Sequence, residues 1–109
     1  MMCKGNMLIV VALCIGAKSV LAAEPTGGEL FAHYCSYCHG AEDGPGTVQL
    51  GRTRGADRAF LTKRKDLAQD YIQYVVRHGL KAMPPFAPSD LDDKKLKALS
   101  AFLALGASQ

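Results

Sequence analysis

Apolar residues recur at helical spacing in three stretches of the chain, and no stretch alternates with the two-residue period of a strand. The first stretch runs through Leu30, Phe31 and Tyr34. It opens at Thr26, with Glu29 three residues on, the spacing of a capping box. The second, over residues 67–77, sets Leu67, Tyr71, Ile72 and Val75 on one stripe, with Asp66 as its expected N-cap and Gly79 just past its end. The third carries Leu91, Leu96, Leu99, Phe102 and Leu103 on one side. Ser89, Asp90, Asp92 and Asp93 supply its cap and first-turn acids, and Gly106 stops it. Between these stretches, residues 40–55 hold five glycines and Pro45, which predicts an extended loop. Residues 81–88 contain Met83, Pro84, Pro85 and Pro88, which predict a stiff extended segment. The expectation is an all-α fold of three main helices, the first and last packed through Phe31 and Phe102.

One apolar run lies outside this pattern. A weakly basic start with Lys4 leads into the apolar residues 8–15, followed by small residues around Val20, Ala22 and Ala23. That is the layout of a secretory signal cleaved after Ala22 or Ala23. It divides the chain into a signal peptide, residues 1–22, and a single domain, residues 23–109, and predicts a periplasmic location. A hydrocarbon core about 30 Å thick needs roughly 20 apolar residues, so no membrane anchor is expected. A lipidated Cys14 is the competing reading, and it is disfavoured by the bulky Leu13 before it and the apolar residues after it.

Removing the signal takes Lys4 and Lys18 and no acid, leaving eleven basic and ten acidic side chains. Near-neutrality offers no electrostatic footprint for nucleic acid. Residues 23–109 contain no tryptophan and bury only a modest core. A buried prosthetic group would supply the missing apolar volume.

Cys3 and Cys14 leave with the signal, and Cys35 and Cys38 stay. An exported pair is ordinarily oxidised to a disulfide. Cys35-Ser36-Tyr37-Cys38-His39 instead reads as a c-type haem attachment sequence. Each thiol adds across one vinyl group, two intervening residues let the sulfurs straddle one porphyrin edge, and the next imidazole turns under the ring as proximal ligand. A redox dithiol of the thioredoxin type shares Cys-x-x-Cys but follows a strand at a helix start, whereas this motif ends a helix in a helical chain. A zinc site would need two further ligands at suitable spacing.

Met83 is the only methionine of residues 23–109 and lies in the proline-stiffened segment. It is the expected distal ligand, because a soft thioether favours ferrous iron; a core methionine is its alternative role. His78, near the end of the second helix, is the rival ligand, and His33 reads as surface or haem edge. The expected cofactor-binding set is therefore Cys35, Cys38, His39 and Met83, with His39 and Met83 on the iron and no catalytic residue assigned. Tyr34, Tyr37, Tyr71 and Tyr74 read as pocket and core residues. The basic run Arg52, Arg54, Arg58, Lys63, Arg64 and Lys65, opposed only by Asp57, is a solvated face or an aid to docking.

Cys35 to His39, the glycine loop over 44–51, Met83-Pro84-Pro85-Phe86 and the last helix together resemble a class I cytochrome c across nearly all of residues 23–109. Tyr71-Ile72, Val75-Val76-Arg77, Gly79, Ala82-Met83-Pro84, Phe86, Asp92-Asp93 and Leu96 are further similar to the cytochrome subunits of the p-cresol methylhydroxylase family and related 4-alkylphenol and eugenol hydroxylases. The resemblance implies one covalent haem c and a one-electron carrier rather than an enzyme. It also implies a partner flavoprotein of the vanillyl-alcohol-oxidase type, which holds FAD and passes its electrons singly to this chain. A downstream acceptor, such as another cytochrome or a copper protein, would receive them. In similar cytochromes a loop proline offers its carbonyl to the ring N–H of the proximal histidine. Here Pro45 comes early and Thr47 is the candidate for that place, so the acceptor of the His39 proton stays open. Two other functions remain in view: a free cytochrome c shuttle serving a terminal oxidase, and a haem enzyme or ligand sensor from which Met83 is displaced.

Overall fold

Thr26 starts the first helix as its spacing from Glu29 predicts. The Thr26 hydroxyl accepts the Glu29 N–H at 3.3 Å, and the Glu29 carboxylate accepts the Thr26 N–H at 2.7 Å, so both halves of the capping box are present. The computed structural model describes Ser19 and residues 21–106. The expected signal segment, with Lys4, Cys3 and Cys14, lies outside the described residues except for Ser19, Leu21 and Ala22, which are exposed and non-helical.

Among the described residues the fold is all-α, as expected. It comprises α1 (Gly27–Tyr34), α2 (Ser36–His39), α3 (Pro45–Arg54), α4 (Gln69–His78) and α5 (Asp93–Ala104), with single 3-10 turns at Ala56–Arg58 and Leu61–Lys63. No described helix is long and apolar enough to cross a membrane.

The glycine-rich segment is the main departure from the sequence expectation, because ten of its residues form α3 instead of a loop. Pro45 occupies the first helical position, where its missing N–H is not needed and its fixed φ suits the helix. Gly44 and Gly55 cap the ends, so only Gly46 and Gly51 lie inside. Each costs about 1 kcal/mol relative to alanine. At Gly46 close approach requires it, because a Cβ would strike the His39 ring, whereas a Cβ on Gly51 would make ordinary contact with Ala59 at 3.5 Å.

Two cap assignments also change. Asp66 does not cap α4; its carboxylate takes both Arg64 Nε and Nη2 at 2.8 Å, and α4 starts two residues later with Ala68 at its N-cap. Of Ser89, Asp90, Asp92 and Asp93, Asp92 is the one that caps α5, accepting the Lys95 N–H at 2.8 Å, and Asp93 begins the helix. The segment after Gly79 is extended only from Pro84. Before it, Leu80 and Met83 exchange two backbone hydrogen bonds of 3.0 Å across a tight turn, with Lys81 at φ 53°.

Leu30, Phe31, Leu67, Ile72, Val76, Leu91, Leu96, Leu99 and Leu103 form one apolar core. Fully burying each such side chain stabilises the fold by about 1.5–3 kcal/mol. Leu96, Leu99 and Leu103 follow the helical spacing of α5, and Ile72 and Val76 that of α4. At the crossing of α1 and α5, Phe31 and Phe102 meet with ring centroids 6.3 Å apart, as expected. Gly27 permits that approach, since a Cβ there would overlap the Phe102 side chain and lie 2.6 Å from the Ala98 carbonyl. Ser100 is completely buried but satisfied. It accepts from Gln73 Nε2 at 3.0 Å and donates to the Lys97 carbonyl at 3.0 Å, pinning α4 to α5.

Candidate functional site

Cys35 interrupts the helical path between α1 and α2 with φ −121°. The interruption is small. Cys35 N–H still bonds the Phe31 carbonyl at 2.9 Å, His39 N–H bonds the Cys35 carbonyl at 2.9 Å, and the Ser36 hydroxyl donates to the Ala32 carbonyl at 2.5 Å. Cys35 and Cys38 therefore stand about one helical turn apart as free, half-buried thiols, with His39 closing α2.

Burial, and secondarily the neighbouring Cys38, pushes the Cys35 thiol up to about 11. A redox dithiol needs a depressed thiol pKa and a cationic or helix N-terminal setting. Cys35 does stand at the N-cap of the short α2, but burial moves its thiol in the opposite direction. Among the described residues no three His, Cys, Asp or Glu side chains group as a metal-binding cluster of the kind a structural zinc site uses.

His39 lies against the first turn of α3. A Cβ on Gly46 would come within 2.5 Å of its Cε1 and 2.7 Å of its Nδ1, so only glycine lets the backbone lie on the ring. Burial lowers the His39 pKa and favours the neutral imidazole, the form a metal ligand takes. His39 Nδ1 is buried and has no hydrogen-bond partner in the structure. Neither Pro45 nor Thr47 offers it a carbonyl; the buried Thr47 instead points its hydroxyl at the Cys38 carbonyl, 3.5 Å away. Two free thiols one turn apart, followed directly by a neutral imidazole with a buried, unpartnered Nδ1, are a donor set that fits a covalently attached haem.

Met83 is half-buried and packs against the same apolar core as Cys35 and Tyr34. Its backbone is fixed from both sides. Leu80 holds it across the tight turn, and Gly79, at φ 74°, brings the chain so close that a Cβ would lie 2.6 Å from the Met83 carbonyl and 3.0 Å from Pro85 N. Further along, Phe86 N–H bonds the Val76 carbonyl at 2.8 Å and Arg77 Nη1 donates to the Phe86 carbonyl at 3.1 Å. Tyr34 meets the Phe86 ring edge-on at 6.1 Å and donates its hydroxyl to the Asp90 carbonyl at 2.9 Å. Gly46 and Arg77 were not singled out as site residues from sequence. Their roles are tertiary contacts, which local sequence does not signal.

The other candidates separate cleanly. His78 is exposed, stacked on Tyr74 at 4.1 Å with its Nδ1 2.8 Å from the Tyr74 carbonyl, and His33 is exposed with its ring edge-on to Tyr34. Of the four tyrosines only Tyr34 packs against the core. Tyr37, at 89% exposure, and the exposed Tyr71 and Tyr74 correct the expectation as far as the core is concerned.

Residues 22–103 match the family model described as cytochrome c oxidase, cbb3-type, subunit III. The chain belongs to this cytochrome c family. The cytochrome is 33% identical over 79 residues to the 4-cresol dehydrogenase (hydroxylating) cytochrome c subunit of Pseudomonas putida, a match covering 72% of this chain and 58% of that one. It thus spans less than two thirds of that relative's length. Two crystal structures of p-cresol methylhydroxylase, one with substrate bound, contain a chain similar to this cytochrome with a TM-score of 0.56 and 32% identity. The match covers 72% of this chain and 90% and 89% of theirs. The fold expected from the sequence is the cytochrome c fold found, and the likeness extends to a cytochrome subunit of that kind.

Proposed function

We propose that this cytochrome is the one-electron carrier subunit of a phenol-oxidising flavoprotein complex, exported to the periplasm through residues 1–22. The observation that carries the reading is the pair of free, half-buried thiols of Cys35 and Cys38 directly before the neutral His39 imidazole, whose buried Nδ1 has no partner. Bound haem c would supply reversible ferric/ferrous chemistry. Cys35 and Cys38 would hold it by thioether bonds, and His39 and Met83 would be the ligands to its iron. Gly46 sets the orientation of the His39 ring, and the Leu80 turn with Pro84 and Pro85 limits the motion of Met83. Holding both ligands through each cycle keeps reorganisation small, which suits electron transfer rather than catalysis.

The similarity to cytochrome subunits of 4-cresol dehydrogenase and p-cresol methylhydroxylase supports an FAD-containing flavoprotein as donor. A reduced flavin carries two electrons and this chain accepts one at a time, so two successive transfers follow each substrate oxidation. The exposed Tyr37, Pro84 and Pro85 offer apolar area for that contact without an ordering cost in the proline segment. A second cytochrome or a copper protein would take the electrons onward.

The test has two stages. Denaturing gels stained for haem should show a band at the chain's own mass, absent when Cys35 and Cys38 are both replaced. Stopped-flow mixing with a candidate phenol-oxidising flavoprotein and its substrate should then reduce this cytochrome fast at stoichiometric ratio. Equally fast reduction of an unrelated cytochrome, with no complex formed here, would replace the subunit reading with that of a free shuttle.

A further inference from the structure

Two glycines end helices with backbone angles that only glycine ordinarily adopts. Gly55 closes α3 at φ 103° and ψ 154°, and Gly79 closes α4 at φ 74° and ψ 171°. Each donates its N–H to the carbonyl four residues back, Gly55 to Gly51 at 3.2 Å and Gly79 to Val75 at 2.7 Å. As helix caps the two are equivalent. Their surroundings are not. A Cβ on Gly55 would come within 2.7 Å of Asp57 Oδ1, the tip of an exposed side chain that can swing aside. A Cβ on Gly79 would meet the chain around Met83, with the Met83 carbonyl at 2.6 Å, Pro85 N at 3.0 Å and Pro85 Cδ at 3.1 Å. Nothing at those distances can yield without moving residues 83–85.

The same stretch is held at several other points. Leu80 and Met83 exchange two backbone bonds of 3.0 Å, and Phe86 N–H returns to the Val76 carbonyl on α4 at 2.8 Å. Residues 80–86 therefore leave α4 at Gly79 and close back on it at Val76, with Met83 pinned between. Lys81, inside this loop, takes φ 53° and is the one non-glycine residue at positive φ among the described residues. Such a backbone persists where its surroundings over-determine it. A loop already strained at Lys81 and tied at both ends has no slack to absorb an extra atom at residue 79.

We infer that Gly79 is a positioning residue for Met83: its lack of a side chain sets where the Met83 backbone lies, and through it how well the Met83 thioether reaches the iron. The inference rests on the Met83 ligation proposed above and deepens it. Gly79 touches no reacting atom and acts only through Met83. A glycine serving α4 as a cap alone has a different signature, because its loss weakens the fold and leaves Met83 where it was.

The experiment compares Gly79→Ala with Gly55→Ala in the ferric holoprotein. Both put an L side chain into the same kind of backbone, so both should shift the urea unfolding equilibrium by about tenfold or more. Gly79→Ala alone should weaken the near-infrared sulfur-to-iron charge-transfer band and let added imidazole replace Met83 with about tenfold or more higher affinity. Gly55→Ala should keep both at wild-type values. A Gly79 variant with wild-type band and imidazole affinity would overturn the inference. Equal changes in the two variants would also overturn it, by reducing the effect to general loosening. Should Gly79→Ala not fold, amide hydrogen exchange in the wild type decides, because coupling between Gly79 and Met83 acts in both directions. Saturating imidazole should then speed exchange at Gly79 and Phe86 by about tenfold and leave Gly55 unchanged. No change at Gly79 and Phe86, or the same change at Gly55, would overturn the inference. Failure of the ligation itself is recognised separately, since the wild-type holoprotein would then lack the charge-transfer band before any variant is made.

Discussion

Arg77 ties three parts of the molecule together through its two terminal nitrogens: Nη1 donates to the Phe86 carbonyl at 3.1 Å, and Nη2 holds Asp93 Oδ1 at 2.6 Å. The two bonds are unequal in worth. The Arg77 side chain is 19% exposed but that of Asp93 is 91% exposed, so the ion pair is well screened and contributes at most about 1 kcal/mol. The carbonyl bond lies in the more buried setting and fixes the chain three residues beyond Met83. Arg77→Met should therefore cost about 1–3 kcal/mol in urea unfolding, while Asp93→Ala should cost less than half as much. Arg77→Met should also weaken the near-infrared sulfur-to-iron charge-transfer band of the oxidised holoprotein. Equal losses in the two variants would show that the ion pair, not the segment, is what Arg77 serves.

Met83→Ala should abolish that band altogether and lower the reduction potential, since a harder or vacant position stabilises ferrous iron less than a thioether does. Ferrous protein of this variant should bind carbon monoxide readily. A band that survives the substitution would remove Met83 from the ligand set.

Gly46→Ala and Gly51→Ala make the same chemical change five residues apart on α3, with opposite surroundings. The first Cβ would strike the His39 ring, and the second would make ordinary contact with Ala59 at 3.5 Å. The Gly46 variant should shift the low-spin electron paramagnetic resonance values of the ferric holoprotein. The Gly51 variant should keep them and gain up to about 1 kcal/mol of stability. Identical spectra for both would mean that α3 does not orient the histidine.

Gly27→Ala sets a clash with the Ala98 carbonyl and Phe102 against the better helix propensity of alanine, and the clash outweighs the propensity. A loss of about 1–3 kcal/mol is expected in chemical denaturation. Gly28→Ala, whose Cβ would lie 3.5 Å from the Phe102 ring, should be neutral or mildly stabilising.

Acid should loosen the helix starts and the Arg64 turn first. The side-chain bond from Arg64 holds Asp66 down to about 2 from an ordinary 3.8, and the Lys95 N–H keeps Asp92 below that ordinary value. Both groups have folded values below their unfolded ones, so their contribution is complete above about pH 4 and disappears as pH falls toward 2. Urea midpoints should decline through that window. Asp92→Asn keeps a capping oxygen but cannot titrate, and it should make the decline shallower; an unchanged slope would remove Asp92 from the cause.

What the sequence made legible was local. Thr26 and Glu29 announce their capping box because both partners lie within one turn, and Cys35, Cys38 and His39 announce their chemistry by adjacency. Asp66 misled for a physical reason: a carboxylate can cap a helix or bind a guanidinium, and Arg64 two residues away won. The glycines of α3 misled in a similar way, because glycine marks a loop when free and a close contact when packed. Gly44 and Gly55 are end caps, while Gly46 and Gly51 are contact points, and nothing short of the folded arrangement distinguishes them. Lys81 at φ 53° and the bond from Arg77 to Phe86 were equally invisible, since each depends on where α4 ends relative to the segment that follows.

The crossing of α1 and α5 sets a timetable for the chain. Gly27 and Phe31 complete their packing only against Ala98 and Phe102, some seventy residues later, so the fold cannot close until α5 is in place. Contacts so distant in sequence carry a large loop-closure entropy and form late. Until then Cys35 and Cys38 sit on a segment whose partner helix has yet to arrive. Docking of α5 completes the core against which Cys35 packs, so the Cys35 thiol is more open before that step than after it.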